Sequence, residues 1–221
     1  MDSRLIRVTN RQSIKEELFI WLEEYVRRLN EGEFDVGGIG SNQDGPKGII
    51  LFPRYVPGAS AKLVNGIPVV SRKITRGVEV IASAIWDPRL VSDMGFIYAI
   101  RIRLLTPEDG DEYVSPEDRG FSTCRLLQRH WRIVNDETGR TEVVDGDGVI
   151  GMTPILREGG YREQGEDFNG TFQYQSCTGP MERGSFGGHL AFEARPENGA
   201  ASLFDVELGS FALDCQPDFL Y

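Results

Sequence analysis

Apolar positions recur along this chain with two different periods, and the change falls near residue 76. Ile14, Leu18, Trp21, Leu22, Tyr25 and Leu29 lie on one helical stripe, while Glu17, Glu23, Glu24, Arg27 and Arg28 lie elsewhere around it. Ser13-Ile14-Lys15-Glu16 reads as a capping box ahead of that stripe, and Asn30 and Gly32 supply a stop. The spacing predicts an amphipathic helix over 13–30, whose stripe must be buried against the rest of the chain or a neighbouring domain. Between 32 and 76, Gly37, Gly38, Gly40, Gly45, Pro46, Gly48, Pro53, Pro57 and Pro68 interrupt any long element. Short apolar pieces remain at Ile49–Phe52 and Ile67–Val70, and the stretch reads as a wrapping connector.

From Gly77 onward the pattern is that of strands. Val78–Trp86 reads as a strand of mixed period. Phe96, Tyr98, Ile100, Ile102 and Leu104 alternate with Ile97, Ala99, Arg101 and Arg103, as in a half-buried strand. Thr106–Gly120 is an acidic loop containing Pro and Gly. Leu126–Val134 surrounds Trp131, and Asp136-Glu137-Thr138-Gly139 turns it into Thr141–Val144. Gly151–Leu156, Phe168–Cys177, Gly188–Ala194 and Ser202–Leu213 follow. Short strands with turn signals between them, and no helical period, predict a mostly β chain: an antiparallel β-sandwich over 77–221, preceded by a helix and connector over 1–76.

Charge sharpens this division. The 221 residues carry a formal charge of −10. Residues 1–76 hold 12 basic and 9 acidic residues, and residues 77–221 hold 12 and 25, so the sandwich region carries −13. A surface of that sign excludes general nucleic-acid binding, which needs a basic face. No apolar run reaches the ~18 residues that cross a bilayer, so no membrane helix is expected. Cys124, Cys177 and Cys215 are widely spaced with no CxxC pair, which points to a reducing compartment, cytoplasm or nucleus. All four lysines (Lys15, Lys47, Lys62 and Lys73) precede the sandwich region. Genome composition accounts for that bias; so does a surface spared from lysine-directed modification.

Candidate chemistry is sparse. Gly146-Asp147-Gly148-Val149-Ile150-Gly151 matches G-x-G-x-x-G, but Thr153-Pro154 follows and the flanks are β, so no helix is available to hold a dinucleotide. The alternatives are a glycine turn between strands, or an amide nest for a small anion, with the amides of Asp147, Gly148 and Val149 aided by Arg129 or Arg132. His130 and His189 lack metal-ligand spacing, and no base is evident for Ser176, Cys177 or Thr178. The carboxylates Glu108, Asp109, Asp111 and Glu112, and Glu163, Glu166 and Asp167, read as solvated loops that could steer a basic partner. No catalytic residue, metal or cofactor is assigned.

Trp131-Arg132-Ile133, Gly139, Val144, Gly146–Gly151, Pro154-Ile155-Leu156, Phe172, Tyr174-Gln175-Ser176-Cys177, Gly184 and Gly188 together resemble the ApaG domain pattern, in order and over about 77–221. The Tyr-x-Ser-Cys variant, the tail Phe204–Cys215 and the helix Phe19–Leu29 resemble the C-terminal part of ApaG-containing F-box proteins. The resemblance implies a fibronectin-III-like sandwich without enzymatic activity. It also implies a protein-interaction role, as the substrate-recognition end of an F-box-type ubiquitin ligase adaptor. The competing readings are a small-anion (pyrophosphate or nucleotide) domain built on the glycine loop, and a structural cap on a preceding domain. The candidate face comprises Arg101, Arg103, Arg129, Arg132 and the turn residues Gly146, Asp147, Gly148, Val149 and Gly151. Trp131 and Tyr174 are further candidates for that face, with the inward-facing core position usual for sandwich aromatics as the alternative.

Overall fold

The computed structural model describes residues 63–86 and 95–215, the backbone of 35–38 and 47–50, and the helical positions Phe19, Leu22, Glu23, Val26 and Asn30. Those five positions fall within the predicted helix and are exposed; the rest of that span lies outside the described residues. The region read as a connector holds two short ribbons. These are β1 (Asp35–Gly38) with β2 (Lys47–Ile50), and β3 (Leu63–Val64) with β4 (Ile67–Pro68). Its last stretch differs from that reading. β5 (Val70–Thr75) is laddered to β6 (Val78–Trp86) from Val70↔Ser83 to Thr75↔Val78, so the sandwich begins before Gly77. Arg76 and Gly77, both at positive φ, form the tight turn that joins the two strands.

Two antiparallel sheets face each other. One runs β13 (Phe172–Cys177), β7 (Phe96–Leu104), β6, β5. The other runs β12 (Glu166–Asn169), β11 (Gly160–Glu163), β10 (Ile155–Arg157), β8 (Thr123–Asn135), β14 (Arg183–Arg195), β15 (Ser202–Asp214). A seventh strand, β9 (Thr141–Asp147), also pairs with β8, which serves two neighbours on one flank. Cys124 and Arg125 ladder with β10, while Gln128 to Val134 ladder with β9. The alternation read in β7 holds: Phe96, Tyr98, Ile100, Ile102 and Leu104 all turn into the core. Phe186 sits at its centre, 4.7 Å from Tyr98, 5.1 Å from Phe211 and 5.5 Å from Trp131 between ring centroids. Close-packed rings of this kind supply the largest apolar burial per residue.

The acidic stretch 106–120 is more built than a solvated loop. It forms a 3-10 turn over Pro107–Glu112 and one helical turn over Pro116–Arg119, where Ser115 Oγ accepts from the Asp118 amide. Two of its carboxylates are ion-paired, while Glu108 and Asp111 are exposed as expected. Asp109 takes the Arg103 guanidinium at 2.8 Å, and Glu112 takes Arg72 at 2.7 Å. Both arginines also donate through Nε to Glu79, at 2.6 Å each, on the outer face of the smaller sheet. The Glu79 carboxylate is therefore buried with both oxygens compensated.

Candidate functional site

The glycine motif forms a corner between β9 and β10 and starts no helix. Val149 and Met152 exchange both backbone hydrogen bonds, at 2.9 and 2.8 Å, around Ile150 and Gly151, whose φ values are 44° and 78°. Two consecutive positive φ values make this the tight primed turn that suits the twist of a β ribbon. Gly148, at φ 56°, is required sterically: a Cβ there would lie 2.2 Å from the Met152 carbonyl oxygen. The Gly148 amide donates to Leu127 O at 2.7 Å, and the Val149 amide to Met152 O. The amides expected to cradle an anion at Gly148 and Val149 are thus engaged inside the fold.

Beside this corner, the mouth between the two sheets opens into a cleft of ≈ 210 Å³. Its walls come from β7 (Tyr98), β8 (Arg129, Trp131 and Ile133), β9 (Glu142 and Val144), β13 (Tyr174, Ser176 and Cys177), the turn (Ile150) and Thr178-Gly179 after β13. Arg129 lies flat over Gly146, where a Cβ would stand 3.0 Å from its Nη atoms. Its Nη1 donates to the carbonyl oxygens of Asp147 and Gly148, at 3.1 and 2.8 Å. Glycine at 146 is what lets the guanidinium close onto the turn. Burial pushes the Tyr98 hydroxyl above its ordinary pKa, against the opposing pulls of a Ser176 hydrogen bond and the Arg129 charge. Burial raises the Tyr174 hydroxyl further, and its Oη, buried in the cleft wall, has no hydrogen-bond partner.

The candidate residues therefore do not form one face. Arg129 joins the turn, as expected. Arg101 and Arg103 stand on β7 at positions facing away from the core, and Arg103 is bound to Glu79 and Asp109. Arg132 lies on the outer face of the larger sheet, over a depression floored by Gly187 and Gly188. The alternation of β8 explains the split: Arg129, Trp131 and Ile133 turn inward, His130 and Arg132 outward. Trp131 and Tyr174 are 2% and 4% exposed, so they are core residues that also wall the cleft. Pattern reading missed Tyr98, Val144 and Ile150, because only the pairing of β8 with β9 and the facing sheets bring them to Arg129. It also missed the stacking of His130 on His189, 4.5 Å apart across β8 and β14, with Asp145 2.7 Å from His130 Nδ1. That pair faces away from Ser176 and Cys177, so neither nucleophile has a histidine base. Among the described residues no group of three or more His, Cys, Asp or Glu could hold a metal, and no helix is long and apolar enough to cross a membrane.

The ApaG domain model matches residues 91–194. Protein ApaG of Paramagnetospirillum magneticum is 31% identical over 143 residues, covering 63% of this chain and 89% of that protein. The chain belongs to the ApaG domain family. F-box protein SKIP16 of Arabidopsis thaliana is 29% identical over 226 residues, covering 99% of this chain. The chain spans 45% of the length of that relative. The crystal structure of the putative ApaA protein from Bordetella pertussis superposes with a TM-score of 0.41 at 25% identity, over 66% of this chain and 97% of that one. The ApaG match centres on the sandwich. The likeness to SKIP16 continues through the helix and connector.

Proposed function

We propose that this chain is a non-enzymatic protein-interaction module, the substrate-recognition part of an F-box-type ubiquitin ligase adaptor acting in the cytoplasm or nucleus. One observation carries the reading: the likeness to an F-box protein runs through 99% of the chain, beyond the sandwich that bacterial ApaG proteins share. The physical frame supports it. A rigid two-sheet core presents turns and edges, and an excess of 13 acidic charges over 77–221 favours basic or mixed-charge partners. Three unpaired cysteines suit a reducing compartment. In the described sandwich Lys73 is the only lysine, and its Nζ is 3.2 Å from Glu207, so the module presents few amines to a ligase.

The competing anion reading has less support, since two of its three amides, Gly148 and Val149, and one Arg129 nitrogen are already bonded. The test is a pull-down of the full chain against a basic peptide library, at low and high salt, beside calorimetry with pyrophosphate and ATP. Salt-sensitive peptide capture and no heat at millimolar nucleotide are expected. Heat with pyrophosphate and no captured peptide would overturn the reading.

A further inference from the structure

We propose that the open side of the sandwich takes an extended, basic segment of a partner protein. The segment adds as a strand on β9, with one of its inward side chains seated in the cleft. This rests on the interaction reading above and gives that reading its surface. Three independent observations converge there.

The first is main-chain direction. Asn135 N donates to Arg140 O, and Gly148 N to Leu127 O. With the register Trp131↔Val144, antiparallel alternation then directs the peptide groups of Glu142, Val144 and Gly146 toward β8. Those of Thr141, Val143 and Asp145 are left at the outer edge. Among the described strands β9 pairs with β8 alone, and β13, across the mouth, with β7 alone. An edge in this state is a template for an incoming strand.

The second is charge. Residues 136–147 hold Asp136, Glu137, Glu142, Asp145 and Asp147 against Arg140 alone, a local charge of −4. β9 contains no proline or lysine to blunt its edge, and Val143 is 65% exposed. A second copy of the same acidic strand would be repelled, whereas a basic strand is attracted. The acidic edge therefore selects the partner and discourages self-pairing.

The third is the cleft. Strand side chains alternate, so every second residue of an added strand points inward beside Val144, over Trp131 and Tyr174. A volume of ≈ 210 Å³ falls below the ~300–1,000 Å³ of small-molecule pockets but accommodates one large side chain. The walls are mixed: Trp131, Val144 and Ile150 are apolar, while Arg129, Glu142 and Ser176 are polar, and the Tyr174 hydroxyl is unpartnered. The inserted side chain thus has an apolar body and a hydrogen-bond acceptor near its tip.

A random 12-residue phage library is panned on the full chain at low salt, and the enriched peptide, fluorescently labelled, becomes the probe. The expected sequences are net positive with alternating apolar residues, and the probe shifts the amide resonances of Thr141, Val143 and Asp145. Its Kd rises at least tenfold in Val143→Pro and in the double variant Glu142→Lys/Asp147→Lys, while Val143→Thr stays within twofold. If Val143→Pro loses its cooperative melt, the charge-reversed variant decides alone. Neutral or acidic enriched sequences, or equal affinity for all variants, overturn the edge assignment. So does a Val143 amide already protected from exchange in the peptide-free chain, which would place another segment or a second copy on β9. A protein partner retained equally by every variant also overturns the edge but leaves the interaction role standing. Failure of the full chain to bind any protein overturns the role itself.

Discussion

Replacing Gly148 by alanine tests the corner that sets the cleft. Two terms add at this position. Its φ of 56° is left-handed, which costs an L-residue about 1–2 kcal/mol. In addition the new Cβ would lie 2.2 Å from the Met152 carbonyl oxygen, so that oxygen must move. It is the acceptor for the Val149 amide, and Val149 is fully buried, so relief of the clash leaves a buried N–H unpaired. That second term is worth about 1–3 kcal/mol. Gly151→Ala isolates it: φ is 78° there, but nothing lies within 4 Å of the added Cβ. Urea denaturation followed by tryptophan fluorescence, compared at equal m-values, should show Gly148→Ala less stable than Gly151→Ala by about 1–3 kcal/mol. Equal losses would refute the close approach, and with it the geometry that lays Arg129 on the turn.

Three further outcomes follow from the same structure. Burial raises the Cys124 thiol to about 12, while Cys177 is exposed. A thiol reagent at pH 8 should therefore label Cys177 readily and Cys124 only on unfolding, read by peptide mass spectrometry. Asp109 is pushed up by partial burial, but the Thr106 amide and Arg103 outweigh this and hold it below its ordinary 3.8. A depressed carboxylate adds stability above its unfolded pKa and loses it as pH falls through the folded one, so the melting temperature should drop below about pH 4. Asp109→Asn should flatten that acid limb. The Arg119 guanidinium is 1% exposed and donates to Phe121 O, Val114 O and Glu158. Arg119→Met should cost about 2–3 kcal/mol in chemical denaturation, since it leaves these acceptors to find new partners.

Much of the sandwich was legible in the chain, because a half-buried strand must alternate and the large apolar residues of β7 fall at every second position. The corner was legible too: Thr153-Pro154 after the glycines argued against a helix. The start of the sandwich was not. In Val70-Ser71-Arg72-Lys73-Ile74-Thr75 four of six residues are polar, and Arg72 finds its partners, Glu79 and Glu112, only across the fold. The order in the acidic loop was hidden for the same reason, since the arginines that bind Asp109 and Glu112 stand up to 40 positions away. Grouping Arg101, Arg103, Arg129 and Arg132 failed on topology: two sheets and two faces separate side chains that sequence proximity suggested were neighbours. The cleft could not be found from any single segment, because its walls come from four strands, one turn and the stretch after β13.

The most direct test of the interaction account is a two-dimensional amide spectrum of the full chain, titrated with a basic strand-forming peptide and, separately, with pyrophosphate. The peptide should move the resonances of Thr141, Val143 and Asp145, while pyrophosphate leaves Gly148 and Val149 in place. Saturable shifts of Gly148 and Val149 with pyrophosphate, and none on β9 with any peptide, would contradict it.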